Sequence, residues 1–160
     1  MGVDPYCSEN RVTNAGLKHL AGLQGLEELA LGGGRITDDG LIHMASLPRL
    51  RYLLLQGKNF TDAGFVHLKS VPSLRILHFG HLPQTTDTGL AHLSALSNVQ
   101  DLSFHWSKNI TNAGLEYLAK LPHLRALDVG NAKITDEGLA HLKEAKTLEW
   151  LDLPHEGISD

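Results

Sequence analysis

The chain has 160 residues, of which 42% are hydrophobic and 20% are charged, a composition typical of one globular domain. A net charge of -4 and a pI near 6.2 give no basic footprint for nucleic acid or for an anionic membrane surface. A single cysteine excludes an intrachain disulfide and a cysteine-rich metal cluster, and no apolar stretch approaches the length of a transmembrane helix.

Residues 1–11 are predicted to form a short N-terminal segment ahead of the first regular element. Its opening residues, Met1-Gly2-Val3-Asp4-Pro5, lack the basic and apolar regions of a signal peptide. This favours a cytoplasmic location, and nothing else in the sequence bears on the compartment.

Residues 12–160 are predicted to form one domain of six repeats that ends at the start of a seventh. A motif of Thr, then Asp or Asn, then any residue, then Gly recurs at intervals of 24 or 25 residues. Its threonines are Thr13, Thr37, Thr61, Thr86, Thr111 and Thr135. Ile158-Ser159-Asp160 resembles a seventh opening at the same interval.

Each repeat is predicted to contain a short helix and then a short strand. In the second repeat Leu41, Met44 and Leu47 have helical spacing, whereas Leu53 and Leu55 alternate as in a strand. The Thr and the Asp or Asn of the motif are helix N-cap residues. Proline follows the helical half in three repeats, at Pro48, Pro72 and Pro122. Since no unit can bury its apolar side alone, the units must stack, which predicts an α/β solenoid with a parallel sheet on one side and helices on the other.

The repeat resembles the leucine-rich-repeat family. The resemblance is carried by Leu-x-x-Leu-x-Leu runs such as 26–31, and by Ile-Thr-Asp-x-Gly-Leu segments similar to those of bacterial repeat proteins and F-box receptors. It implies a right-handed α/β horseshoe, with the sheet on the concave side and short helices on the convex side, and protein binding as the usual role. Two features depart from the family: no F-box-like helical segment is present, and the Asn that usually follows the strand is missing. Its positions hold Gly34, Lys58, Leu82, Ser107, Ala132 and Glu156.

The residues between the strand leucines are predicted to point away from the core, onto what we call the open face of the sheet. They form three columns of six positions, which run Glu28, Tyr52, Ile76, Asp101, Ala126, Trp150; Ala30, Leu54, His78, Ser103, Asp128, Asp152; and Gly32, Gln56, Gly80, His105, Gly130, Pro154. Tyr52, Leu54 and Ile76 predict an apolar patch, and the three aspartates predict an acidic one. Contiguous aromatic and aliphatic side chains on a surface are typical of an interface.

Two repeats carry their extra residue after the strand, in the loops 80–85 and 105–109, which are neighbours in the stack. Insertions in repeat proteins tend to occur on a binding face. His81 and Trp106 are therefore candidates for binding, although Trp106 is equally compatible with folding back over the core. Thr85 stands where other repeats have isoleucine, which predicts a less well buried loop.

The ten histidines favour neither a metal site nor catalysis. His19, His43, His67, His92 and His141 share one repeat position, which points outward on helices too far apart for one metal ion to bridge. Asp101 and His105 lie roughly 13 Å apart along one strand, too far for a catalytic triad. A weak small-ligand or metal site near His78, Ser103 and Asp128 stays open as a minor alternative. Gly32-Gly33-Gly34 lacks the Lys-Ser/Thr of a phosphate loop.

The sequence thus predicts a non-enzymatic protein-interaction module, without cofactor or metal and with neither nucleic acid nor membrane as partner. The residues expected to bind the partner are Tyr52, Leu54, Ile76, His78, Asp101, His105, Trp106, Asp128 and Trp150. The alternative is a structural protein that self-associates through its repeat edges, because the strand near Trp150 would leave an open sheet edge. A metal- or small-ligand-binding protein comes third.

Overall fold

A computed structural model describes residues 11–155 of the chain as a stack of six helix-and-strand units. Apart from Arg11, the expected N-terminal segment and the expected seventh opening at 158–160 lie outside the described residues. The α-helices are α1 (Asn14–Leu17), α2 (Asp38–Leu41), α3 (Asp87–Leu93), α4 (Asn112–Leu118) and α5 (Asp136–Leu139). 3₁₀ helices occupy Lys18–Gly22, Ile42–Ser46, Asp62–Ser70 and Ala140–Glu144.

The strands form one open, fully parallel sheet in chain order. They are β1 (Glu28–Gly32), β2 (Tyr52–Gln56), β3 (Ile76–Gly80), β4 (Asp101–His105), β5 (Ala126–Asp128) and β6 (Trp150–Asp152). Equivalent positions of successive repeats pair, so that Tyr52 lies beside Ile76 and Ile76 beside Asp101. This register confirms the predicted columns and the α/β horseshoe solenoid. The third column is shorter than predicted, because β5 and β6 end at Asp128 and Asp152, and Pro154 beyond β6 is buried.

The hydrophobic core lies between the sheet and the helices. Leu53, Leu77, Leu102 and Leu127 contribute one fully buried strand position each, and Phe79 and Phe104 occupy the next inward position. The Phe79 ring stacks on Phe65 at a centroid distance of 4.7 Å and on Phe104 at 5.0 Å. The sheet is therefore fixed from behind by close-packed aliphatic and aromatic side chains, which leaves its other face for contact.

The repeated motif builds a side-chain ladder along the helix starts. In the first five repeats the Asp or Asn accepts a hydrogen bond from the backbone N–H of the next repeat's threonine, as in Asp62 Oδ1 with Thr86 N at 2.8 Å. The threonine hydroxyl then bonds the same side chain, as Thr86 Oγ1 does to Asp62 Oδ2 at 2.6 Å. The same arrangement joins Asn14 to Thr37, Asp38 to Thr61, Asp87 to Thr111 and Asn112 to Thr135.

The ladder corrects one expectation and explains the motif glycine. The Asp and Asn side chains bond the next repeat instead of capping their own helix, and only Thr61, Thr86 and Thr111 accept from an N–H of their own first turn. From the second repeat onward, a Cβ at the motif glycine would collide with the ladder Asp or Asn, as at Gly64 beside Asp38. The motif is therefore a repeat-to-repeat connector.

A second set of side-chain bonds replaces the missing family asparagine in the loops after the strands. Asn59 Nδ2 donates to the Gly34 carbonyl and Asn109 Nδ2 to the Pro83 carbonyl, each at 2.7 Å. Gln84 reaches the Lys58 carbonyl in the same way. The expected poor burial of the loop at Thr85 is wrong: this side chain is fully buried, and its hydroxyl has no hydrogen-bond partner.

Candidate binding face

Strand alternation positions the predicted binding residues on the open face, opposite the core. Tyr52, Leu54 and Ile76 are half-buried and adjacent, since Tyr52 pairs with Ile76 across β2 and β3. The Tyr52 ring meets the His78 ring edge-on at a centroid distance of 5.4 Å. The apolar patch therefore continues into the polar part of the face through a direct ring contact.

On the side away from Tyr52, the His78 ring contacts Asp101 of the neighbouring strand β4. Its Nε2 lies 3.1 Å from Asp101 Oδ1, and both side chains are about one-third exposed, at 33% and 36%. This diagonal pair joins β3 to β4, since His78 itself is in register with Ser103. The imidazole is thus fixed between an aromatic ring and a carboxylate.

Asp128 is the most enclosed carboxylate of the site, with only 15% of its side chain exposed. Its Oδ2 accepts a 2.7 Å hydrogen bond from the Ser103 hydroxyl, and its Oδ1 accepts one of 3.0 Å from the Gly130 N–H. His105 Nδ1 lies 3.9 Å from Oδ2. Asp128 is therefore held in place by groups of its own chain.

A shallow cavity of about 330 Å³ opens between these groups on β3 to β6. Its lining consists of His78, Asp101, Ser103, Ala126, Asp128 and Trp150. The small side chain of Ala126 forms the floor, because it lies in register between Asp101 and Trp150. Trp150 is 54% exposed and forms the far wall.

The structure brings four of the nine predicted residues into this cavity and arranges the others around it. Tyr52, Leu54 and Ile76 continue the face over β2 and β3, and His105 and Trp106 lie beyond its polar part, at the end of β4. Ser103 and Ala126 also line the cavity, although they belong to the columns and not to the predicted binding residues. The register could have identified both, because Ser103 pairs with His78 and Ala126 pairs with Asp101.

Trp106 projects from the loop after β4. It is 53% exposed, and its ring meets His105 edge-on at 5.4 Å, so it does not fold back over the core. Trp106 and His81 have positive φ angles of 66° and 52°, at the positions where the first two repeats have Gly33 and Gly57. A bulky side chain in this backbone region is uncommon. The loops thus hold two large side chains outward on a backbone that suits glycine.

The hydrogen-bond pattern does not correspond to nucleophilic catalysis. The Ser103 hydroxyl donates to Asp128, while the imidazole in register with it, His78, is bonded to Asp101. A serine nucleophile requires its hydroxyl to donate to the base. Within residues 11–155, no cluster of three or more His, Cys, Asp or Glu side chains could hold a metal ion. The repeated histidines, such as His43 and His92, are partly or fully exposed on the helical side.

Two of the ion pairs away from the open face shift the pKa of a partner. A hydrogen bond from Lys120 to Glu116, one helical turn apart, lowers the pKa of the Glu116 carboxyl. The carboxylate of Glu149 binds Arg125 at 2.7 Å and raises the pKa of that guanidinium. In the described part of the chain, no helix is long and apolar enough to cross a bilayer.

Comparison with known proteins supports the fold assignment. A family model described as Leucine Rich repeat matches residues 24–45 and 120–142. None of the curated proteins compared by sequence matches the chain. Among solved structures, internalin C2 from Listeria monocytogenes is 25% identical with a TM-score of 0.65, and the match covers 96% of this chain and 62% of that one.

Two further solved structures show the same architecture. One is the Rad7 and Elc1 complex in yeast, at 20% identity and a TM-score of 0.65, covering 90% of this chain and 40% of the other. The second is a TLR13–ssRNA13 complex, at 25% identity and a TM-score of 0.65, covering 90% of this chain and 21% of the other. This chain thus spans less than two thirds of the length of each of these three proteins. By its repeats, its parallel sheet and these likenesses, the chain has the fold of the leucine-rich-repeat proteins.

Proposed function

We propose that the chain is a non-enzymatic interaction module that binds a protein partner through the open face and the loops 80–85 and 105–109. The observation that carries this proposal is the continuity of partly exposed side chains from Tyr52 on β2 to Trp150 on β6. Aromatic side chains with exposed surface on a rigid backbone are the residues that anchor interfaces. The complex of Rad7 with Elc1, which shares this fold, supports a protein partner by analogy.

A nucleic acid fits the face less well, although one solved relative is in complex with ssRNA. Binding to phosphates depends on lysine and arginine, and the eighteen positions of the three columns contain neither. The face carries Glu28, Asp101, Asp128 and Asp152, which would repel a phosphate backbone. A protein partner is therefore the better candidate.

The proposal is tested by comparing what three forms of the full chain retain from a lysate of the source cells. We expect the wild type and a helix-side control, His43→Ala/His92→Ala, to retain the same protein, and Tyr52→Ala/Trp150→Ala to lose it. Circular dichroism checks that all three are folded. Equal retention by the face variant would reject the open face as the binding surface.

Self-association through the sheet edges is the second candidate. The core leucines of the last repeat, Leu148, Leu151 and Leu153, are only partly buried, and so are Leu26 and Leu29 of the first. Apolar side chains beside an unpaired strand edge favour pairing with another copy. Light scattering of the full chain tests this, because a molecular mass that rises with concentration supports edge pairing and a constant monomer mass opposes it.

A further inference from the structure

The charge on the open face is of one sign. The eighteen positions predicted for this face, of which Pro154 is buried, hold four carboxylates and no lysine or arginine, whereas the chain has fourteen lysines and arginines in total. With histidine neutral, the face therefore carries the same formal charge as the whole chain, -4, and the formal charges of the remaining residues balance. Such an asymmetry favours a partner of the opposite sign.

The basic residues nearest the face have partners elsewhere. Three arginines directly precede strands: Arg51 lies 3.6 Å from Glu27, Arg125 binds Glu149 at 2.7 Å, and Arg75 donates to backbone carbonyls at 3.2–3.3 Å. Among residues 11–155, no lysine or arginine forms an ion pair with Asp101 or Asp128. The described residues thus provide these carboxylates with no lysine or arginine partner.

The cavity between these carboxylates is lined by groups that can bind a basic side chain. Asp101 and Asp128 face it, and the exposed ring of Trp150 lies on its far side, two strands from Asp101 and hence roughly 10 Å away. Carboxylates bind ammonium and guanidinium groups by charge-assisted hydrogen bonds, and an indole face adds a cation–π contact. The floor at Ala126 leaves the space that the charged group would occupy.

We infer that the partner presents a basic segment, with one arginine or lysine side chain seated in this cavity between Asp101, Asp128 and Trp150. This inference rests on the proposed function. The patch at Tyr52, Leu54 and Ile76 lies two to three strands away, roughly 10–14 Å, and takes an apolar side chain of the same segment. An extended peptide rises about 3.3 Å per residue, so the apolar and basic residues stand three or four positions apart.

The direct test uses synthetic peptides and nuclear magnetic resonance on the full chain. The probe is an acetylated peptide Leu-Ser-Gly-Ser-Arg-Ser-amide, and its matched control carries citrulline, the neutral isostere, in place of arginine. The two tryptophan indole N–H signals report separately on the cavity, through Trp150, and on the loop, through Trp106. We expect the arginine peptide to shift the Trp150 signal and to bind at least fivefold more tightly than the citrulline peptide.

Two double variants, each of which removes two negative charges, show whether the preference for arginine depends on the cavity. Asp101→Asn/Asp128→Asn removes both charges with little change of shape, and the new amide at position 128 keeps one of the two acceptor oxygens that bind Ser103 and Gly130. We expect this variant to abolish the preference for arginine over citrulline. Asp39→Asn/Glu137→Gln, on exposed helical positions, is expected to retain the preference. Asp101→Asn alone serves if the double variant fails to fold, and it is expected to reduce the preference.

The outcomes separate this inference from the proposed function. Equal binding of arginine and citrulline peptides, or an unchanged preference in Asp101→Asn/Asp128→Asn, overturns the basic segment. If Tyr52→Ala/Trp150→Ala still loses the captured partner in that case, the open face remains a binding surface for a partner of other chemistry. Stronger binding of a single-stranded RNA oligonucleotide than of the arginine peptide overturns the inference as well.

Discussion

Trp106 and His81 occupy a backbone conformation that the first two repeats assign to glycine. Their φ angles of 66° and 52° lie in the left-handed region, where a side chain with a Cβ raises the energy by about 1–2 kcal/mol. Strained residues of this kind persist where the surrounding structure fixes them, and they cluster at functional sites. The proposed binding loops therefore have a conformational cost that the rest of the stack offsets.

Relief of this strain gives a prediction for Trp106. We expect Trp106→Gly to raise the free energy of unfolding by about 0.5–1 kcal/mol, since the left-handed strain outweighs the added flexibility of glycine. The same change is expected to weaken partner binding. Urea denaturation measures the first effect, with Trp150→Gly as a control in extended strand backbone, where glycine destabilises. A clear loss of stability in Trp106→Gly would contradict the strain.

The hydroxyls of the adjacent residues Thr85 and Thr86 differ in their hydrogen bonding. The Thr85 hydroxyl is fully buried without a partner, whereas the Thr86 hydroxyl donates to Asp62. A buried unpaired polar group costs about 1–3 kcal/mol. We expect Thr85→Val to stabilise the fold by about 1 kcal/mol and Thr86→Val to destabilise it by a similar amount. Thermal unfolding of both variants checks this, and a destabilised Thr85→Val would indicate a bonded hydroxyl.

At the scale of the elements, hydrogen bonds between successive repeats hold the helix starts at more places than side-chain caps do. Each helix or 3₁₀ segment is short, from 4 to 9 residues, so its own hydrogen bonds give little independent stability. The ladder of threonine and aspartate or asparagine bonds connects each unit to the next instead. From the second repeat onward, this connection requires the motif glycine, because a Cβ there would collide with the Asp or Asn side chain of the preceding repeat.

A double-mutant cycle at Gly64 and Asp38 tests the connection. Alanine is ordinarily favoured over glycine in a helix by about 1 kcal/mol, but a Cβ at residue 64 would collide with the Asp38 side chain. We expect Gly64→Ala to destabilise the wild type by about 2 kcal/mol, and to cost at least 1 kcal/mol less in the Asp38→Ala background. Chemical denaturation of the four proteins gives the coupling, and additive effects would contradict the ladder.

The sheet register was predictable because the repeat length fixes it. Because each repeat contributes one strand at the same position, equivalent residues of successive repeats pair. The columns from Glu28 to Trp150 therefore follow from counting along the sequence. The diagonal bond from His78 to Asp101 was not predictable, because it depends on side-chain rotamers. Nor was the burial of Thr85, since the inserted residue changes the path of its loop.

At the scale of the molecule, the solenoid separates the core from the proposed binding surface. The buried leucines and phenylalanines lie behind the sheet, so substitutions on the open face leave the packing largely unchanged. The acidic cavity, the apolar patch and the rim loops are thereby held on one rigid support. A partner can bind this surface without a rearrangement of the fold.

Site-specific photo-cross-linking tests the central claim most directly. Benzoylphenylalanine is introduced at Trp150 or Tyr52 on the open face and, in a matched chain, at Tyr117 on the helical side. Irradiation in the source cells is expected to give a discrete adduct with another protein from the two face positions and none from Tyr117. An adduct formed only from Tyr117 would contradict a binding role for the open face.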